Sequence, residues 1–241
     1  MINRQALLSD LQKLLQRLEA DLLSRSESAD MPEVGQRLRE EYERAKKAER
    51  TAQNYEDWRS DAITQAAAAW VLSCVFVRFL EDNRLIDPPK IAGPGKRLQQ
   101  ARDEWELYLG QAKQPNERDY LLSVFDELAR LPGTKEVFGE HNPIRELPNW
   151  LSGDGARDML GFFQKIDANS EESNKLIHDF TDPAWETRFL GDLYQDLSEA
   201  ARKKYALLQT PEFVEEFILD RTLELALNEF GLGPRAKARR R

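Results

Sequence analysis

Between Tyr55 and Asn83 the chain carries one unbroken helical pattern, with "AITQAAAAWVLSCVFVRFLEDN" inside it and no glycine or proline to interrupt it. Trp70, Val71, Phe76, Val77, Phe79 and Leu80 put apolar groups nearly all the way round such a helix, and its alanines let neighbours approach closely. A helix apolar on every side has to be wrapped by others, so the pattern predicts a central buried helix in a multi-helix body. Its most hydrophobic part, Ala66 to Val77, is about a dozen residues, stopped by Arg78, and reads as too short to span a bilayer.

The rest of the chain supplies the wrapping. Leu8, Leu11, Leu15, Leu18 and Leu22 recur at steps of three and four, which predicts an amphipathic helix of about 20 residues. That seam suits either packing on its own domain or capture of a partner helix. Asp30 is placed to cap a second helix entering near Pro32, with Val34, Leu38, Tyr42 and Ala45 as a thin apolar stripe. Around that stripe, "RLREEYERAKKAER" balances its signs, which predicts an exposed helix laced with ion pairs rather than a phosphate-binding surface. Residues 1–50 are therefore expected to form a helical hairpin that projects from the body.

Pro88, Pro89, Gly93, Pro94 and Gly95 are the densest helix-breaking cluster in the chain. Helical spacing resumes over Arg97 to Ala112, with Leu98, Ala101, Trp105 and Tyr108 on one face, and over Glu117 to Leu131, with Tyr120, Leu121, Val124, Phe125 and Leu128. Loops with at most a short turn of helix fill Pro132 to Gly155. A helix from Asp154 then carries Met159, Leu160, Phe162 and Phe163. Asp182 and Pro183 look like the cap and first residue of a helix through Phe189, Leu190, Leu193 and Leu197. Thr210 and Pro211 open another, with Phe213, Val214, Phe217 and Ile218 on its buried face and Gly231 at its end. No segment alternates apolar and polar residues as a strand does. The expected fold is all-α, with domains at 1–50 (hairpin), 51–232 (helical body) and 233–241 (basic tail).

The net charge of −8 does not make the whole surface a nucleic-acid surface. The charge is uneven, however. Arg235, Lys237, Arg239, Arg240 and Arg241 close the chain with no acid among them, and with Arg202, Lys203 and Lys204 they are the candidate DNA-binding residues. Cys74 is the one cysteine, so no disulfide forms within the chain, and a reducing cytoplasm is the expected setting. "MINRQALLSDLQ" lacks the long apolar core of a signal peptide.

The common catalytic patterns are missing. His141 and His178 stand 37 positions apart and Cys74 is alone, so no spaced pairs make a zinc site. No GxSxG elbow is present, and "GPGK" at 93–96 lacks both the earlier glycine and the following Ser/Thr of a phosphate loop. Carboxylates are abundant on every helix and none stands out as a general acid or base, so no catalytic residue and no metal ligand is nominated.

Two linked pieces point elsewhere: "FLGDLYQDL" at 189–197 and "KYALLQTPEFVEEFI" at 204–218. Together they resemble the approach to the catalytic domain of γ-type adenine-specific DNA methyltransferases, where an LGxxYxxL helix precedes a basic stretch and a (Y/F)TPxxV helix. "WVLSCVFVRFLEDNRLID", "RDYLLSVFDELARLPG" and "HDFTDPAWETRFLGDLYQDL" are similar to the N-terminal helical region of the PglX-type methyltransferases of BREX phage-defence systems, over most of residues 1–232. The resemblance implies that Thr210 and Pro211 border the S-adenosylmethionine pocket once a catalytic domain is joined to them. Gln209 stands where the family has an aromatic, so an aromatic contact to the cofactor is not implied.

After "EFGL" the family pattern enters a strand and a DPxxGSG loop, whereas this chain reads "GPRAKARRR". The (N/D)PP(Y/F) motif is missing too, and "DPPK" at 87–90 does not replace it. The expectation is an accessory helical domain that contributes DNA or partner contacts, inactive alone, with S-adenosylmethionine a cofactor of the intact enzyme. Its expected partners are DNA, other defence proteins or an amphipathic helix, with neither membrane nor metal. The rival expectation is a stand-alone interaction module that uses the Leu8 to Leu22 seam.

Overall fold

The computed structural model describes residues 3–111, 113, 116–182, 188–197 and 212–230. These residues are all-α. The helices are α1 (Arg4–Ser26), α2 (Pro32–Lys47), α3 (Tyr55–Asp82), α4 (Arg97–Gln111), α5 (Glu117–Leu128), α6 (Lys135–Phe138), α7 (Gly153–Phe163), α8 (Arg188–Leu197) and α9 (Glu212–Glu229), with a short 3-10 turn at Pro143–Arg145. Among the described residues the only strand-like pairing is an isolated bridge between Ile166 and Leu176.

Local chemistry sets the helix starts. Asn54 accepts the Asp57 N–H at 2.9 Å, Asn116 that of Asp119 at 2.9 Å, and Ser152 that of Gly155 at 2.8 Å, each satisfying a donor the first turn leaves free. Asp30 does not do this for α2. Its own N–H is taken by Ser28 Oγ, Met31 occupies the cap position without a side-chain bond, and Pro32 alone marks the start.

Helix α3 is the axle, as its sequence requires. Trp70, Val71, Cys74, Val75 and Val77 are buried, and Trp70 meets Phe125 of α5 with ring centres 5.8 Å apart. Phe125 stacks in turn on Phe138 of α6 at 5.4 Å, and Phe138 touches Phe76. The whole of α3 is 28 residues, so by length and hydropathy it passes the test for a membrane span that Ala66–Val77 alone does not. Its most apolar window is 67% buried against the other helices, which is the interior role the sequence predicts.

The N-terminal helices fold back rather than project. Helix α1 lies along α3 and also touches α7 and α8. Its leucines Leu7, Leu11, Leu14, Leu15, Leu18 and Leu22 join the one core shared by the helices. Helix α2 packs on both α1 and α3, and Gly35 is what lets it close. A Cβ there would sit 2.7 Å from the Ser26 carbonyl oxygen. The chain divides into two compact units, Met1–Tyr205 and Ala206–Arg241. Helix α9 lies in the second.

Candidate functional site

Polar groups gather most densely at the C-terminal end of α3. Arg78 and Glu81 are wholly buried and Asp82 nearly so. Arg78 bonds both oxygens of Asp82, at 2.8 and 2.6 Å, and donates to the Phe163 carbonyl at 2.8 Å. Its Nε has no hydrogen-bond partner but lies 3.6 Å from Glu81 Oε2, within ion-pair reach. Glu81 accepts the N–H groups of Lys90 and Ile91, both at 2.5 Å, and of Ala92 at 2.9 Å. Asp82 accepts the Phe180 N–H at 2.8 Å.

Burial pushes both carboxyls above their usual range, while Arg78 and the backbone donors oppose it. Strongly perturbed carboxyls in a cleft mark active sites. These have no cleft, and their oxygens are occupied by the protein's own donors. The cluster ties the proline-rich loop and the segment around Phe180 to α3. It is a brace, and only the charged end of an apolar helix hints at it in the sequence.

Nearby, His178 stacks on Phe162 at 5.2 Å, and its Nε2 lies 3.3 Å from Asp10 Oδ2. Burial lowers the His178 pKa, with Asp10 working the other way. His141 is exposed. Among the described residues no group of His, Cys, Asp or Glu is placed to hold a metal ion.

The residues singled out from the sequence divide sharply. Thr210, Pro211, Arg202, Lys203, Lys204, Arg235, Lys237, Arg239, Arg240 and Arg241 lie outside the described residues, as does Pro183. The leucine seam is accounted for internally. Leu11, Leu15, Leu18 and Leu22 are between 0% and 7% exposed and Leu8 is half-buried against the core, so α3 and its neighbours already fill the face a partner helix would need.

Helix α9 departs from expectation in the opposite sense. Phe217 and Ile218, expected on its buried face, are 60% and 49% exposed, and Leu219, Leu223 and Phe230 are open as well. Arg221 sits over the Phe217 ring at 5.4 Å, and Thr222 donates to the Ile218 carbonyl at 2.6 Å. A helix presenting this much apolar surface is built to be covered. It follows directly on the Thr210-Pro211 motif and is the candidate functional surface of the chain.

No family model matches the chain, and no solved structure matches it. Among characterised proteins it is 49% identical over 240 residues to the adenine-specific methyltransferase PglX of Streptomyces coelicolor (strain ATCC BAA-471 / A3(2) / M145). The match takes in 96% of this chain and 19% of that protein, so the chain spans about a fifth of its relative's length. Such identity over nearly the whole chain bears out the resemblance read from the LGDLYQDL and QTPEFV pieces: this is a PglX-type sequence, corresponding to a portion of a PglX-type protein.

Proposed function

We propose that the chain is the N-terminal helical part of an adenine-specific DNA methyltransferase of a phage-defence system of the BREX type, serving DNA or partner binding rather than methyl transfer. The observation that carries this reading is the 49% identity along the chain to a methyltransferase five times its length. The exposed apolar residues of α9 support it, because Leu219, Leu223 and Phe230 share one side of the helix and would suit packing by a catalytic domain.

S-adenosylmethionine belongs to the intact enzyme in this reading. The described residues hold no strand followed by a glycine-rich loop of the kind that carries such a cofactor. No step of methyl transfer is assigned to this chain.

The test is transfer of a labelled methyl group from S-adenosylmethionine to DNA. The chain alone is expected to transfer none, while the Streptomyces relative is expected to lose activity when the matching stretch is deleted. Transfer by the chain alone, or full activity without the stretch, overturns the proposal. The alternative of a stand-alone interaction module keeps its interest only through α9, since the seam on α1 is filled.

A further inference from the structure

Between α7 and α8 the chain changes its manner of attachment at Ile177. Up to that point it is paired main chain to main chain, with Asp167 donating to the Lys175 carbonyl at 2.8 Å and Ile177 to that of Lys165 at 2.9 Å. Beyond it, among the described residues, no main-chain bond ties 178–182 to a helix. Side chains at the end of α3 take over. Asn83, the C-cap of α3, donates from Nδ2 to the Phe180 carbonyl at 2.9 Å and accepts the Asp182 N–H on Oδ1 at 2.9 Å. A C=O and the N–H two residues on are the pair that one residue of a neighbouring parallel strand would bond, so a single side-chain amide stands in for a strand. Asp82 accepts the Phe180 N–H besides, at 2.8 Å.

Phe180 is the plug of this attachment. Its ring is wholly buried, 6.2 Å from that of Phe163 and 5.1 Å from the Arg78 guanidinium. At the start of the segment the hold is lighter: His178 leans on Phe162 and faces Asp10, a carboxylate that Lys13 shares at 2.9 Å. Helix α8 then packs on α1 and α3. Phe180, Leu193 and Leu197 are the described apolar side chains that residues 178–197 bury, whereas α3 buries Trp70, Val71, Cys74, Val75, Val77 and Phe79 in ten residues. A stretch with so few buried anchors, and with its main chain held by side chains, belongs to the part of a fold that opens first.

We propose that residues 178–182 form a releasable strap, closed by Asn83, Asp82 and the Phe180 plug, whose opening frees α8 as one unit while α1 to α7 stay folded. Helix α8 is the last described helix ahead of the Thr210-Pro211 motif, so the strap decides whether that approach is tethered to α1 and α3 or let go from them. The inference concerns the fold of this chain and does not depend on the methyltransferase reading.

The experiment is native-state hydrogen exchange of the whole 241-residue chain, followed amide by amide. In Asn83→Ala the amides of Phe180, Asp182, Leu193 and Leu197 should lose protection together, by about tenfold, while those of Val71 in α3 and Leu121 in α5 stay within about twofold of the parent. Asn83 also donates to the Phe79 carbonyl at 2.9 Å, so a second variant that leaves this bond alone is needed. Phe180→Leu trims the plug and should release the same four amides, again sparing Val71 and Leu121. Equal loss in α3 and α5 overturns the proposal, because the segment would then open only with the whole body. So does loss confined to Phe180 and Asp182 with α8 unchanged, or no change in either variant.

Discussion

Trp150 and Leu22 are joined by a hydrogen bond from the indole Nε1 to the Leu22 carbonyl at 2.8 Å. The clasp is reciprocal. Arg25 donates back to the carbonyls of Trp150 and Asn149 at 2.8 and 2.9 Å, and Asp21 accepts the Ser152 N–H at 2.9 Å. Asp21, Leu22 and Arg25 of α1 thus hold three residues, Asn149, Trp150 and Ser152, on the approach to α7. Trp150→Phe keeps the ring and removes the donor, leaving the Leu22 carbonyl buried without its partner. We expect a loss of about 1–3 kcal/mol, read from the urea midpoint at an unchanged m-value.

Glu81→Gln tests the brace at the end of α3. An amide oxygen cannot replace a carboxylate that accepts three backbone N–H groups and faces Arg78, so the variant should lose about 3 kcal/mol of stability. The more telling readout is hydrogen exchange. The amides of Lys90, Ile91 and Ala92 should lose protection well before those of Val71 or Val75, because the loop is released before the helix opens. Equal loss at both places would mean that Glu81 supports the core as a whole.

His178 predicts a dependence on pH. Burial holds its folded pKa below the ordinary 6.5, so between that lowered value and about 6.5 the unfolded chain binds the extra proton. Stability from this group is complete above about pH 6.5 and is lost as the pH falls through the window. The melting temperature should drop between pH 7 and pH 5, and His178→Phe, which keeps the stack on Phe162, should drop less steeply. Parallel slopes for the two proteins would remove His178 as the cause.

Leu11→Glu with Leu18→Glu separates the two readings of the α1 seam. Both leucines are essentially inaccessible, so two carboxylates there should unfold the first unit, with loss of far-UV helical signal, rather than release a bound partner from an intact fold. A folded double variant with a changed complex size would restore the seam as a docking face.

Helical periodicity made α3 and α5 legible to within a few residues, since an apolar stripe or a fully apolar helix has only one way to be buried. It also found the α1 seam, but Leu7 and Leu14 escaped it, because a helix packed on several neighbours buries a wider face than a two-helix seam. The Arg78 brace was not legible, since its partners at Lys90, Phe163 and Phe180 come together only in the folded chain. On α2 the two signs balance in the sequence, yet composition cannot say which cations meet acids. That is decided by which side of the helix each occupies. Helix α9 misled for a related reason: an apolar stripe announces that it will be covered, but not by what.

The clasp between Leu22 and Trp150 spans 128 positions of chain. A ribosome adds about 5–20 residues each second, so the leucine stripe of α1 leaves the exit tunnel on the order of ten seconds before the residues that fasten it exist. Until α3 has followed it out, the newborn chain displays an amphipathic helix with nothing to lie on, the kind of segment that holding chaperones recognise. Vectorial synthesis therefore leaves α1 incompletely fastened until Trp150, the latch, has been made.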